Sequence, residues 1–382
     1  MYFQAVDFFD TAQQALATGR FTEARVLLES HGSDARANAL LARVYAQLKL
    51  PQKAQAAAMR AAQLGGNIPS VQHTLALFYA QSGQRKLAAE WEGRYARSGV
   101  ADAAASARAA MLFAETGQWK EVAEFASAAL AGQERPELRN ILARAYESLS
   151  RNEEAVTEYR QLLALLPYDE PTHAAFGQAL LRMGRFQEAA VHLEESRKKF
   201  DKSPQIELAL GVAYYTQRRF AEAGERFLRV IELDAEISQS YIFLVRMIDQ
   251  LPEQVPAIRA RTEAWYRKEA VNGFAPYAYA KALQAAGAPD AEMKPLLLEA
   301  LRRDRKVWEF PFELGQLFER QRDFAAARAH YETAIALNGR IPETHYHLAR
   351  VYDRLQQPAK AERERALHKQ LLTESGQTKG MQ

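Results

Sequence analysis

The residues that could carry chemistry are few, and their spacing argues against it. His345 and His347 stand two apart. On a helix they point in different directions, so they do not converge on one ion and read as a structural or solvent-facing pair. Glu153-Glu154 and Glu194-Glu195 are adjacent carboxylates, which on a helix cannot face a common substrate and read as solvated surface. No Gly-rich loop ends in Lys-Ser or Lys-Thr, no Gly-x-Gly-x-x-Gly follows a strand pattern, and there is no His-Glu-x-x-His. The chain has no cysteine, which removes disulfides, thiolate metal sites and thiol nucleophiles. The expectation is a protein that is not an enzyme and takes neither cofactor nor metal.

What the chain does carry is a period. Ala42, Ala76 and Ala110 are 34 apart, as are Ala143, Gly177, Gly211 and Val245, and as are Gly315 and Ala349. Aromatics follow three positions later at Tyr45, Tyr79, Phe113, Tyr146, Tyr214, Phe318 and Tyr352, and small residues twelve positions later at Ala54, Ala88, Ala155, Ala189, Ala223, Ala327 and Ala361. Such a period marks stacked supersecondary units, none of which buries its apolar face alone. Within each, two amphipathic stripes flank a tight turn. In 136–167, Pro136 opens the first helix, Leu138, Ile141 and Leu142 form its stripe, Ser150-Arg151-Asn152 turns, and Ala155, Val156, Tyr159 and Leu162 form the second. Gly211 and Ala223 fall where paired helices cross, so leucine there overpacks the contact, whereas Gln217 is expected in an exposed turn.

This pattern resembles the tetratricopeptide repeat (TPR) family, with small residues at positions eight and twenty, a Tyr-like residue at eleven and often a closing proline. Units starting near 136, 170, 204, 308 and 342 match well, including the turn pairs Gly184/Phe186, Arg218/Phe220 and Arg322/Phe324; those near 35, 69 and 103 match with fewer features. The resemblance implies an all-α protein, an α-solenoid winding as a right-handed superhelix of about eleven tandem helix-turn-helix units and about 22 helices. The array is expected over 1–375, with irregular repeats about 235–307, and 376–382 as a disordered C-terminal tail. In the irregular stretch Val245 replaces the small residue, Leu251-Pro252-Glu253-Gln254-Val255-Pro256 replaces the tight turn, and Pro295 falls inside a helix. At the ends, Lys360 and Glu364 are spaced to pair on the outer face. Phe3, Phe8 and Phe9 are too many for one unit to cover, so the array forms a homodimer there or a preceding segment is missing.

In TPR arrays the first helix of each unit lines the concave face, where ligands generally bind. By register, positions five, nine and twelve face inward. These place Asn140, Arg144, Tyr215, Arg246, Tyr277, Lys281, Phe312, Tyr346 and Arg350 on a partner-binding wall. Tyr and Arg favour such surfaces because they join contact area to directional donors, and Lys281 and Arg350 are expected to attract acidic residues of a ligand. The competing reading is that these side chains pack on neighbouring first helices. The family's chaperone-binding clamp for a C-terminal carboxylate is not supported, because Asn140 and Arg144 are followed by Ala174 and Gln178, then Leu208 and Val212. A bacterial envelope-assembly regulator that ends its repeats in a cysteine-rich metal knuckle is likewise not matched in full.

Composition sets outer limits. The 382 residues are 48% hydrophobic and 25% charged with a formal charge of +3, as in a soluble folded protein. Basic clusters at Arg197-Lys198-Lys199 and Arg302-Arg303-Asp304-Arg305-Lys306 are interspersed with acids elsewhere, so no nucleic-acid partner is expected. No apolar run is long enough to span a membrane. Met1-Tyr2-Phe3-Gln4 shows no signal peptide, and its Tyr-Phe-Gln resembles the end of a protease-tag site. The localisation as written is cytoplasmic, or periplasmic if a native signal sequence was removed, and arginine and alanine usage suggests a bacterial source. Two functions follow. One is a non-catalytic scaffold binding a peptide or protein partner in its concave groove. The alternative is a structural component of a bacterial envelope or export assembly, acting through its convex face and ends.

Overall fold

Many helix starts are fixed by residue type. The carboxylate of Asp34 accepts from the backbone N–H of Arg36 at 2.7 Å and Ala37 at 3.1 Å, and Ser203 Oγ accepts from Ile206 at 3.3 Å. Pro69, Pro136, Pro204 and Pro342 occupy first turns, where a missing N–H costs nothing. The structure is a computed structural model that describes residues 8–379, with side chains through 374. Among the described residues there are 22 α-helices, from Phe8–Ala17 to Pro358–Lys379, and no strand. Within residues 8–185 and again within 186–379, successive helices pack as hairpins, Phe8–Ala17 on Phe21–Glu29 and Pro204–Thr216 on Phe220–Leu233 among them, the all-α solenoid that the resemblance implied. No helix among the described residues is long and apolar enough to cross a membrane.

The turn inside each pair is a repeated device. In the pair Pro204–Thr216 and Phe220–Leu233, Arg218 adopts φ 61°, its N–H donates to Tyr215 O at 3.0 Å, and the N–H of Arg219 donates to Tyr214 O at 3.0 Å. That left-handed residue closes the first helix and reverses the chain. Glycine fills the position at Gly19, Gly83, Gly117, Gly184 and Gly287, but Lys49, Ser150, Arg218, Arg322 and Gln356 hold it elsewhere. Gln217, beside it, is not the free turn residue that was expected. It is half-buried, and its Nε2 donates to Phe186 O at 3.1 Å and Ala213 O at 3.0 Å, tying this turn to the preceding helix.

The chain forms two compact halves, Met1–Arg185 and Phe186–Gln382. The N-terminal half is packed largely with alanine: Ala37, Ala39, Ala42, Ala54, Ala58, Ala76, Ala88 and Ala110 are buried around Leu40, Leu75 and Phe113. The C-terminal half uses larger partners for its small residues. A Cβ on Gly211 would lie 2.7 Å from Phe227 Cε1, and one on Gly315 would lie 2.6 Å from Tyr331 Cδ1.

The stretch 235–307 departs from the plan where the sequence does. Helix Ser238–Arg246 is short, two 3-10 turns follow at Ile248–Gln250 and Pro252–Gln254, and Val255–Lys268 completes the pair. These turns are packed structure, with Met247, Ile248 and Leu251 buried and Gln254 Nε2 donating to Ala221 O at 3.0 Å. Pro295 sits inside helix Asp290–Arg303, as its spacing required.

The joins between pairs carry a second device that the sequence did not disclose. A buried polar residue at the fourth position of the first helix reaches back six residues to a carbonyl of the preceding loop. The pairs are Asn38 Nδ2 to Gly32 O (2.9 Å), Gln72 Nε2 to Gly66 O (3.1 Å), His173 Nε2 to Pro167 O (3.1 Å), Tyr241 Oη to Ala235 O (3.3 Å) and His345 Nε2 to Gly339 O (3.0 Å). Each satisfies a loop carbonyl just beyond the end of the preceding helix, which no backbone donor among the described residues serves.

The ends differ from expectation. Phe8 stacks on His31 at 3.9 Å between ring centroids, Phe9 is buried, and the Arg36 guanidinium lies within cation–π distance of both rings. The aromatic edge proposed for homodimerisation is thus covered at these two residues, and Phe3 lies outside the described residues. At the other end the backbone of the last helix continues to Lys379, past the start of the expected tail at 376. Glu364 pairs with His345 and not with Lys360, whose Nζ lies over Tyr352.

Candidate functional inner wall

In the C-terminal half the first helices Ser238–Arg246, Phe274–Ala285, Glu309–Arg320 and Pro342–Arg354 present one side of each repeat. Two recesses lie along it. One, of about 400 Å³, is lined by Ile248, Asp249, Lys281, Gln284, Phe312, Glu313, Gln316, Glu343 and His347. The other, of about 320 Å³, is lined by Gln316, Glu319, Arg320, His347 and Arg350. Gln316 and His347 border both, so Lys281, Phe312 and Arg350, named from register alone, lie on adjoining ground.

Glu319 organises the second recess. Its Oε2 accepts from Tyr331 Oη at 2.9 Å and faces His347 Nδ1 at 2.9 Å, and its Oε1 lies 3.4 Å from Arg350. Burial pushes the carboxyl pKa up, but the hydrogen bonds from His347 and Tyr331 and the nearby charges of His347 and Arg350 outweigh it. The net position is below the usual carboxylate range. The folded state therefore binds this proton less readily than the unfolded chain. The stabilisation is present above the unfolded pKa and is lost as pH falls through the folded one. Glu319→Gln is expected to lower stability at pH 7, with the gap to wild type closing as the pH drops below about 4. Urea melts across pH check this, and a gap that stayed constant with pH would rule out the ionised Glu319 as its source.

Other wall residues are committed within the fold. Lys281 Nζ lies 2.9 Å from Glu313 and 3.0 Å from Gln284 Oε1, with only 16% of its side chain exposed. Tyr277 corrects the register: it is buried between Phe274 and Phe310, with centroids at 6.0 and 5.1 Å, and presents no wall surface. Burial pushes its hydroxyl well above the usual tyrosine value. Tyr215 is half-buried against Phe243 and Phe220 at 5.1 and 6.0 Å, so much of its ring packs within the fold. Phe312 is half-buried beside His347 and Tyr331.

Tyr346 is the large aromatic left open, 47% exposed, with the Arg350 guanidinium 5.7 Å from its ring centroid. Arg246 is exposed and lies 3.3 Å from Glu309. Asn140, half-buried, and Arg144, exposed, belong to helix Pro136–Ser148 of the N-terminal half. His345 and His347 diverge: the first faces Glu364 and Gly339, the second Glu319 and Gln316. Among the described residues no group of three or more His, Asp or Glu could hold a metal ion.

The charges left over on this wall differ from those anticipated. Arg246, Lys281 and Arg350 each have a carboxylate partner, whereas Asp249 and Glu343, both exposed at the larger recess, have no basic partner among the described residues. Glu313 and His347 were missed by register because they occupy the sixth position of their repeats. Only their polarity in otherwise apolar stripes marks them.

Comparisons with known proteins bear on the family and the fold. Residues 136–167, 174–236 and 312–366 match the profile of the tetratricopeptide repeat. No curated protein sequence matches the chain. Among solved structures, that of Naa15/Naa10 bound to HypK-THB is 14% identical with a TM-score of 0.54, covering 94% of this chain and 68% of that one. The APC/C hetero-tetramer Cut9-Hcn1 gives 12% identity and a TM-score of 0.48, with 96% and 87% covered. YrrB, a TPR protein with an unusual peptide-binding site, gives 17% and 0.40, with 48% and 95% covered. At 14% identity the first of these bears on the fold alone. The three profile matches fall in register with the helical hairpins they cover and their recurrent turns, and the chain is a tetratricopeptide-repeat protein.

Proposed function

We propose that the protein is a non-catalytic scaffold that binds an extended peptide segment of a partner along the inner wall of its C-terminal half. The observation that carries this reading is the open Tyr346–Arg350 pair beside two adjoining recesses lined by amides, carboxylates and cations that already have carboxylate partners. An exposed aromatic next to polar recesses suits a ligand with alternating side chains, because the ring supplies contact area and the recesses supply direction. Since the wall's cations are paired and Asp249 and Glu343 are not, the ligand this wall favours is basic. That reverses the acidic ligand expected from Lys281 and Arg350.

Selection from a random peptide library against the full chain, followed by calorimetry, tests the reading. Enriched peptides are expected to carry Lys or Arg. Tyr346→Ala is expected to weaken their binding by about 1–2 kcal/mol, and Glu343→Gln to weaken it with a reduced salt dependence. Both variants should melt as wild type does, since both side chains are exposed. Enrichment of acidic peptides, or unchanged affinity in both variants, would remove the binding site from this wall.

A further inference from the structure

A different feature, in the N-terminal half, is an arginine without a counter-charge. Arg43 occupies the ninth position of its repeat, on helix Ala35–Gln47, the register at which Arg246, Lys281 and Arg350 meet carboxylates and at which Arg144, exposed to solvent, needs none. Arg43 meets none. Its Nε is shielded from solvent and has no hydrogen-bond partner, and no ion pair forms at its guanidinium among the described residues. Two other arginines have a shielded Nε lacking a hydrogen bond, Arg25 and Arg328, but these lie 3.9 and 3.8 Å from Glu29 and Glu332. Burial alone pulls the Arg43 pKa down, with no acid opposing it. An arginine stays charged in proteins even so, and an unpaired, partly desolvated cation is held at a cost that an arriving anion relieves.

The surroundings define that anion. Arg43 lines a recess of about 360 Å³ with Leu16, Phe21 and Leu40 as apolar lining and the amides of Gln13 and Gln47 also facing it. One guanidinium fork matches the two oxygens of a carboxylate. A phosphoryl group would bring a third oxygen and a second charge to a site with apolar walls and no second cation. We infer that this recess is a second ligand site, which takes an acidic side chain flanked by an apolar residue on a partner peptide. It stands apart from the basic preference of the C-terminal wall, and the two readings can fail separately.

The test uses the full chain and three fluorescein-labelled, C-terminally amidated peptides of the frame Ser-Ala-Leu-X-Leu-Ala-Ser, with X as Glu, Gln or phosphoserine. Anisotropy is expected to show the Glu peptide binding about tenfold tighter than the Gln peptide. Arg43→Gln should abolish that preference, Arg43→Lys should reduce it by losing the fork, and Tyr346→Ala should leave it unchanged. Arg43→Gln should melt at or above the wild-type temperature, because an unpaired, partly desolvated charge is gone. Should it fail to fold, the Arg43→Lys result decides alone. Equal binding of the Glu and Gln peptides, no binding of either at millimolar concentration, or a Glu preference that survives both Arg43 substitutions would overturn the site. Tighter binding of the phosphoserine peptide than of the Glu peptide would overturn its assignment to a carboxylate.

Discussion

Leucine at Gly315 or Gly211 is expected to lower the stability of the C-terminal half by about 3 kcal/mol. Each glycine faces an aromatic ring of the paired helix, Tyr331 and Phe227, and both rings are fully buried. A Cβ alone would stand 2.6 or 2.7 Å from ring carbons, and the rest of a leucine has no room to turn aside. The ring at Gly315 is also tethered, since Tyr331 Oη donates to Glu319. Pushing it back would loosen the carboxylate that positions His347 and Arg350, so Gly315→Leu should weaken ligand binding on the inner wall as well as stability, whereas Gly211→Leu should affect stability first. Glu90→Leu, on the exposed face of helix Arg85–Ala96, should stay within about 0.5 kcal/mol of wild type. Urea melts of the three variants check the ranking; equal effects at all three sites would mean the helix crossings are not where the small residues place them.

These crossings were legible in the sequence because they obey a local rule: one small residue per helix, at a constant interval, opposite a large one. The inner wall was legible only in part, for a geometric reason. Register states which side of a helix a residue occupies, but not how near the next helix comes. Tyr277 and Lys281 are in register with Tyr346 and Arg350, yet the first is enclosed by Phe274 and Phe310 and the second is held by Glu313. Arg246 and Glu309 are 63 positions apart and meet at 3.3 Å, a pairing that no repeat of about 34 residues announces. The fourth-position clamps escaped for another reason. Asn, Gln, His and Tyr do the same work at that place, so no single residue type recurs to be noticed. Gln217 departs from an exposed turn residue because a side chain beside a chain reversal can reach the preceding helix.

Arg139 shows the fourth position used with charge, and its loss carries the other large expected effect. It lies on helix Pro136–Ser148 with only 11% of its side chain exposed. Its Nε donates to Glu134 Oε1 at 2.9 Å, a second nitrogen reaches the other oxygen of Glu134, and the third serves Glu158 and Gln161 on the paired helix Asn152–Leu165. The fork on Glu134 ties down the loop before the helix, and the bonds to Glu158 and Gln161 hold the hairpin shut. Hydrogen bonding from Arg139 first, opposed by burial and aided by its charge, holds Glu134 below the usual carboxylate range. Arg139→Ala is expected to cost about 3 kcal/mol, mostly because Glu158, 15% exposed, is left charged beside the cavity. If the cost is that stranded charge, removing it should recover much of the loss. Arg139→Leu combined with Glu158→Leu should therefore lie closer to wild type than Arg139→Ala does. A cost under 0.5 kcal/mol for Arg139→Ala, a range typical of exposed pairs, would show the network to be solvated and dispensable. The loop would then be held by its backbone alone.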